Sequence, residues 1–169
     1  MPVLIMMNKP YDDDDALETV VQYVLRPGYG YCGAYGVDLN DAVFQMQRVK
    51  ELWGKDHGRR VRHFILSFQR SEQVGYEQAM GLGFEICQYY ADYQSVYGLH
   101  YDTDHTHLHF AVNTVSYRNG KMYAEGVTDW YRLRGYVQGL MPQRYIDLKV
   151  SGGTEKQGRQ PDHMRIECH

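Results

Sequence analysis

Val3 to Met7 is a short, wholly apolar run, and it predicts a buried strand. Four consecutive aspartates, Asp12 to Asp15, then supply an N-cap and favourable charge for a helix start. Leu17, Val20, Val21, Val24 and Leu25 follow at helical spacing on one face, and Pro27-Gly28 ends that helix. Tyr23 falls off the apolar stripe, on the side of Thr19 and Arg26, so the helix does not need it for packing. Gly28 to Gly36 carries four glycines and the tyrosines Tyr29, Tyr31 and Tyr35, and reads as a flexible loop. Asn40-Asp41 opens a second helix, with Val43, Met46, Val49 and Trp53 inward and Gly54 at its end.

Alternation takes over from Arg60 to Gln69, which predicts a strand. Val61, His63, Ile65 and Ser67 share one face of it; Arg62, Phe64, Leu66 and Phe68 share the other. Ser71 caps a long helix through about Tyr90, weakened by Gly81 and Gly83. Ser95 to Tyr101 and His105 to Tyr117 are the next strands, and Arg118-Asn119-Gly120-Lys121 carries the Asn-Gly signal of a tight turn. Thr128-Asp129 caps a helix through about Leu140, stopped by Met141-Pro142, and Gln143 to Val150 reads as a last strand. The pattern predicts an α+β fold in two layers: an antiparallel sheet with helices packed on one face. Residues 1–150 form the domain, and the polar, Gly-rich stretch 151–169 reads as a flexible tail.

Chemistry concentrates at one point of this pattern. Four of the eight histidines lie in the ten residues His100 to His109, which run into the apolar segment Phe110-Ala111-Val112. In a strand, His105, His107 and His109 point to one side and Thr106, Leu108 and Phe110 to the other. Two imidazoles on one strand face, with a third from just upstream, can form a facial three-nitrogen metal site with open positions for a substrate oxygen. A polar outer strand face is the plainer alternative. The cluster is expected on the central strands, on the face the helices leave open. Cys168-His169 reads as part of the tail.

Composition narrows the class. A chain of 169 residues with 43% hydrophobic residues can bury one real core. Tyrosine is abundant, 16 copies against 5 Phe and 2 Trp; tyrosines stack on bases and serve as nucleophiles, and more often simply pack with one polar tip. A net charge of −3 lacks the overall basic signature of a nucleic-acid binder, but Arg59, Arg60, Arg62 and Arg70 gather around one strand, a pattern compatible with a local basic face and more often with a plain solvated surface. Cys32, Cys87 and Cys168 have neither zinc spacing nor the pattern of a disulfide framework, which points to a reducing compartment. The apolar N-terminal run is too short for a membrane span. A cytoplasmic protein without membrane insertion is expected.

The stretch His100-x-Asp102-Thr103-x-His105-x-His107-x-His109-Phe-x-Val-Asn113 resembles the histidine motif of conjugative relaxases, mobilisation nucleases of the His-hydrophobic-His superfamily. Val21-Gln22-Tyr23-Val24-Leu25 looks like the nucleophile-tyrosine motif near their N-terminus, and His63-Phe64-Ile65-Leu66-Ser67-Phe68 like their middle motif. The resemblance spans roughly residues 3–140. It implies nicking and rejoining of one DNA strand at an origin of transfer, through a covalent link between a tyrosine and the 5′ phosphate. By position, Tyr23 is the nucleophile and His100, His107 and His109 are the metal ligands. His105 is implied as an outer group, a proton carrier or an alternative ligand, and Asp102 as a carboxylate that orients a ligand imidazole. The implied cofactor is a divalent ion, Mn²⁺ or Mg²⁺, with Zn²⁺, Ni²⁺ or Co²⁺ compatible with imidazole donors. The implied partners are single-stranded DNA and accessory mobilisation proteins, with Arg59, Arg60, Arg62, Tyr29 and Tyr31 as DNA contacts.

Two features depart from that family: the chain lacks a basic excess, and it is short for a full relaxase. Rolling-circle replication initiators and single-strand transposases share the metal platform, but generally place the tyrosine after the histidines. A cupin-type oxygenase would need a downstream glutamate and a later histidine at set distances, which are missing. A metal- or DNA-binding module without catalysis is the alternative of another class; loss of cleavage in Tyr23→Phe separates it from an enzyme.

Overall fold

The computed structural model describes residues 1–101 and 104–151. Asp102 and the segment 152–169, with Cys168 and His169, lie outside the described residues. The chain order is β1 (Val3–Met7), α1 (Ala16–Val24), β2 (Cys32–Tyr35), α2 (Ala42–Leu52), β3 (Val61–Gln69), α3 (Tyr76–Cys87), β4 (Ser95–His100), β5 (His105–Asn113), α4 (Val127–Leu140) and β6 (Asp147–Ser151). The strands make a six-stranded sheet in the order β2-β4-β5-β3-β1-β6. Its neighbours are antiparallel except for β1 and β6, which run parallel. The α+β class holds, with a sheet that is mostly antiparallel. Among the described residues no helix is long and apolar enough to cross a membrane.

The two nine-residue strands β3 and β5 pair over their full length, from Val61 opposite Asn113 to Gln69 opposite His105. Strict alternation therefore sorts their side chains onto two faces. On one face Phe64, Leu66, Phe68, Leu99, Leu108, Phe110 and Val112 form the larger core with Leu82 and Ile86 of α3 and Trp130, Leu133 and Val137 of α4. The Phe64 and Phe110 rings, opposite each other in register, stack at 4.5 Å.

The other face is not bare. Leu17, Val20, Val21 and Val24 of α1 and Ala42 and Met46 of α2 pack on Val61, Val96 and Ala111. Helices on both faces correct the expected two-layer arrangement. The reason lies in the strands: the histidine-bearing face turns apolar toward Ala111 and Val61, and the amphipathic stripe of α1 requires such a surface. The histidine end of the same face stays polar.

Local differences follow from packing as well. Within the expected loop Gly28–Gly36, Cys32 to Tyr35 form the edge strand β2 on β4. Gly33 belongs there because a Cβ would overlap the Tyr97 ring. In α2 the buried positions are Ala42, Met46 and Lys50, while Trp53 is exposed. Lys50 is buried because its amine donates to Thr114 Oγ1 at 2.9 Å. The helix expected from Ser71 starts at Tyr76, with Gly75 at its N-cap, and Arg70–Glu72 form a separate 3₁₀ turn. The strand expected to reach Tyr117 ends at Asn113, whose side-chain amide donates to the Met46 carbonyl and to Gln94 Oε1. The last strand is shifted to Asp147–Ser151.

Arg62 has the most consequential placement. Its side chain is 1% exposed, on the larger-core face. There it reaches Glu125 Oε2 at 2.9 Å and Asp129 Oδ2 at 3.1 Å, and donates through Nε to the Tyr90 hydroxyl at 3.0 Å. Asp129, expected to cap α4, instead anchors its first turn to the sheet; Gly126 is the N-cap. Arg62→Ala would strand two carboxylates beside the core, at a cost of about 3–5 kcal/mol. Urea unfolding with an unchanged slope should show that loss; a change under about 1 kcal/mol would mean the cluster does not hold α4 in place.

Candidate nuclease site

The site begins where α1 ends. Gly98 of β4 lies directly beneath the last turn of that helix, and a Cβ there would overlap the Val24 carbonyl oxygen. The missing side chain lets the helix rest on the strand. The same carbonyl accepts a hydrogen bond from His100 Nε2 at 3.0 Å. A carbonyl can only accept, so Nε2 carries the imidazole proton and the ring's lone pair is on Nδ1.

The histidines share one face across three strands. His100 stands opposite His107, Gly98 opposite His109, and His63 opposite Ala111. The His100 and His109 rings are 4.2 Å apart, and the His107 ring is 5.8 Å from His109. His105 stacks on His107 at 6.1 Å, farther out and exposed. Tyr23 is 41% exposed on α1, and its ring lies 5.3 Å from His100, 5.1 Å from His109 and 6.2 Å from His63. The Arg26 guanidinium lies 5.0 Å from the centre of the Tyr23 ring. The structure thus brings together Tyr23, His100, His107 and His109, with His105 at the rim.

Three residues of this neighbourhood were not singled out from the sequence. His63 Nε2 is 3.3 Å from His109 Nδ1, and His63 Nδ1 is 3.2 Å from the Tyr11 hydroxyl. Arg26 is the third. His63 stands in the middle motif on the same strand face as Ser67, and its alternation parity was the available signal. Nothing in the local pattern around Tyr11 points to the site.

Burial sets the electrostatics. Desolvation first, then the charges of Lys9 and His100, lower the His63 pKa to about 4. Desolvation and the neighbouring His100, His63, His107 and Arg26 hold His109 lower still. Both imidazoles are neutral at pH 7, the form that binds metals.

The donor set suits a transition ion by its chemistry: imidazoles from adjacent strands, with His100 bonded at its far nitrogen to a backbone carbonyl and His109 to a neighbouring ring. As arranged in the structure, no three His, Cys, Asp or Glu groups among the described residues stand close enough together to hold a metal ion.

The expected basic face is largely spent on internal pairs. Arg62 is buried, so it cannot reach a backbone phosphate. Arg60 pairs with Asp14 at 3.0 Å and Asp56 at 3.4 Å, and Arg59 with Glu125 at 3.4 Å. The tyrosines are better placed. Tyr29 is 93% exposed, and Tyr31 packs edge-on against Tyr76 at 5.5 Å and Tyr101 at 6.2 Å. All three rings of that cluster are exposed.

Residues 23–144 match the family described as relaxase, MobA/VirD2-like, nuclease domain. Protein rlx of Staphylococcus aureus is 32% identical over 91 residues, covering 53% of this chain and 27% of that protein. Protein MobA of Acidithiobacillus ferrooxidans is 40% identical over 58 residues, covering 32% of this chain and 14% of that protein. The chain thus matches under a third of the length of either relative. No solved structure matches it significantly.

The buried imidazoles make stability depend on pH. Between about 4 and 6.5, His63 is neutral in the folded protein and charged in the unfolded chain. The unfolded state binds more protons in that window, so stability rises with pH and is lost as pH falls. Each such group contributes a slope of up to about 1.4 kcal/mol per pH unit. Urea midpoints from pH 4.5 to 7.5 should show a shallower slope for His63→Gln than for the natural chain; equal slopes would remove His63 as a source.

Proposed function

The chain belongs to the MobA/VirD2-like relaxase nuclease domain family, and on that premise we propose a strand-specific DNA transesterase that works through Tyr23. The family's general activity is DNA nicking in mobilisation. The finer reading is that the Tyr23 hydroxyl attacks the scissile phosphate in line. The bond from phosphorus to the 3′ oxygen breaks, the phenolic proton is given up, and the departing 3′ oxygen leaves as a hydroxyl. The 5′ phosphate stays on Tyr23, and attack by a 3′ hydroxyl reverses the step.

A single observation carries this reading. The one surface tyrosine of α1 lies against His100 and His109, on a helix docked to the strand that bears His100. Tyr23 is outside the buried stripe of its helix, so packing does not require it there.

The remaining roles are assigned around that core. His100, through Nδ1, together with His107 and His109, would hold a divalent ion. Bound there, the ion would neutralise the non-bridging phosphate oxygens. Arg26 is placed to add positive charge beside Tyr23. Asp102, outside the described residues, keeps its proposed place as an orienting carboxylate, and His105 as a rim group that exchanges protons. Tyr29 and the cluster of Tyr31, Tyr76 and Tyr101 offer faces on which unpaired bases can stack. The proposed partners are single-stranded DNA at an origin of transfer and accessory mobilisation proteins, in the cytoplasm.

The test is incubation of the chain with Mn²⁺ and single-stranded oligonucleotides tiling a candidate origin of transfer. A covalent adduct should form and map to Tyr23. Chelation should abolish it, and Tyr23→Phe should abolish it while leaving oligonucleotide affinity within about threefold, because only one oxygen is lost. An adduct on the phenylalanine variant would move the nucleophile elsewhere, with Tyr29 and Tyr31 next in line. Arg26→Ala should slow cleavage by about tenfold to a hundredfold with little change in metal affinity. Single-turnover kinetics unchanged by that substitution would remove Arg26 from the phosphate site.

A further inference from the structure

His63 is buried within the histidine cluster, yet it belongs to no ligand set assigned above. Its two ring nitrogens are both engaged. Nε2 faces His109 Nδ1 at 3.3 Å, and Nδ1 faces the Tyr11 hydroxyl at 3.2 Å. An N–H···N contact holds one proton, so the chain of three groups has two arrangements.

In the first, His109 donates from Nδ1–H to His63 Nε2, and His63 donates from Nδ1–H to the Tyr11 oxygen. His109 then carries its lone pair on Nε2. In the second, the Tyr11 hydroxyl donates to His63 Nδ1, and His63 donates from Nε2–H to His109 Nδ1. His109 then carries its proton on Nε2 and has no second lone pair for a ligand. Only the first arrangement makes His109 a donor to a metal.

Tyr11 is held for this contact by an uncommon backbone. Its φ is 45°, in the left-handed region that few residues other than glycine adopt. Its carbonyl accepts from the Arg60 amide at 2.8 Å, which ties the residue to the start of β3, two positions from His63. A strained backbone whose side chain ends a hydrogen-bonded chain suggests function.

We propose that His63, backed by Tyr11, is a positioning residue that selects the His109 tautomer able to bind metal. The proposal rests on the reading of His109 as a ligand. It makes His63 the counterpart for His109 of what the Val24 carbonyl is for His100. Each ligand imidazole then has its far nitrogen occupied by a fixed partner, which orients the ring and sets its proton.

The experiment uses the full chain labelled with ¹⁵N-histidine. Long-range ¹H–¹⁵N spectra with diamagnetic Zn²⁺ read the tautomers, and calorimetry with Mn²⁺ reads affinity. His109 and His63 should both carry their protons on Nδ1 in the Zn²⁺ form. His63→Leu should weaken Mn²⁺ binding on the order of tenfold to a hundredfold. His63→Gln, whose amide oxygen can still accept from His109, should recover most of the loss, and Tyr11→Phe should fall between. Recovery by Gln separates orientation from space-filling, since Leu fills the space and cannot accept. A folded His63→Leu variant with natural affinity overturns the proposal, as does a proton on His109 Nε2 in the Zn²⁺ form. Should His63→Leu not fold, the natural chain's tautomers and the Tyr11→Phe affinity decide it in the same way. Failure of the natural chain to bind either ion overturns the metal reading itself; binding indifferent to position 63 overturns only the positioning role.

Discussion

The arrangement of the site depends on the contact between the Val24 carbonyl and strand β4. Gly98 leaves room for the helix backbone to touch the strand, and His100 donates its Nε2 proton to that same carbonyl. Val24 directly follows Tyr23 in the chain. One backbone oxygen therefore fixes the height of the helix above the sheet, the position of the tyrosine and the tautomer of an imidazole. A side chain at position 98 would disturb all three at once, since a close-packed interior has little slack to absorb the shift.

A second constraint is the division of one sheet face between two uses. Toward Ala111, Val96 and Val61 the face is apolar and holds α1 and α2. Toward His107 and His105 it is polar and increasingly exposed. The boundary runs through the buried His63, His100 and His109, and desolvation favours the neutral ring of His63 and His109. Hydrogen bonds to Val24, Tyr11 and between rings offset the cost of burying these polar groups. Anchoring α1 and keeping the His63 and His109 rings neutral thus depend on the same burial.

Charge follows the same economy. Arg62 ties the first turn of α4 to the sheet through Asp129 and Glu125, and Arg59 and Arg60 bind carboxylates of neighbouring segments. Positive charge near Tyr23 comes instead from Arg26, one turn further along the same segment. Exposed tyrosine rings cluster beside the end of β4.

The alternation of β3 and β5 was legible in the sequence because strand period is a purely local rule: it grouped His107 with His109 on one strand and His63 with Ser67 on the other, while the β3–β5 register decided that the two groups share a sheet face. The apolar stripe of α1 likewise showed Tyr23 to be unneeded for packing. The histidine cluster and the α+β class were therefore readable from residue order alone. Other features depended on which segments meet. Nothing local marks Gly33 as part of a strand; Tyr97, sixty-four positions away, fills the space above it. Arg62 looks like a surface base until Glu125 and Asp129, distant in the chain, close around it. Tyr11 joins His63 across fifty-two residues. The sequence by itself determined periodicity and the chemical types available. Tertiary structure decided which nitrogens face which partners and which charges remain outside, because burial and long-range pairing are properties of contacts between segments.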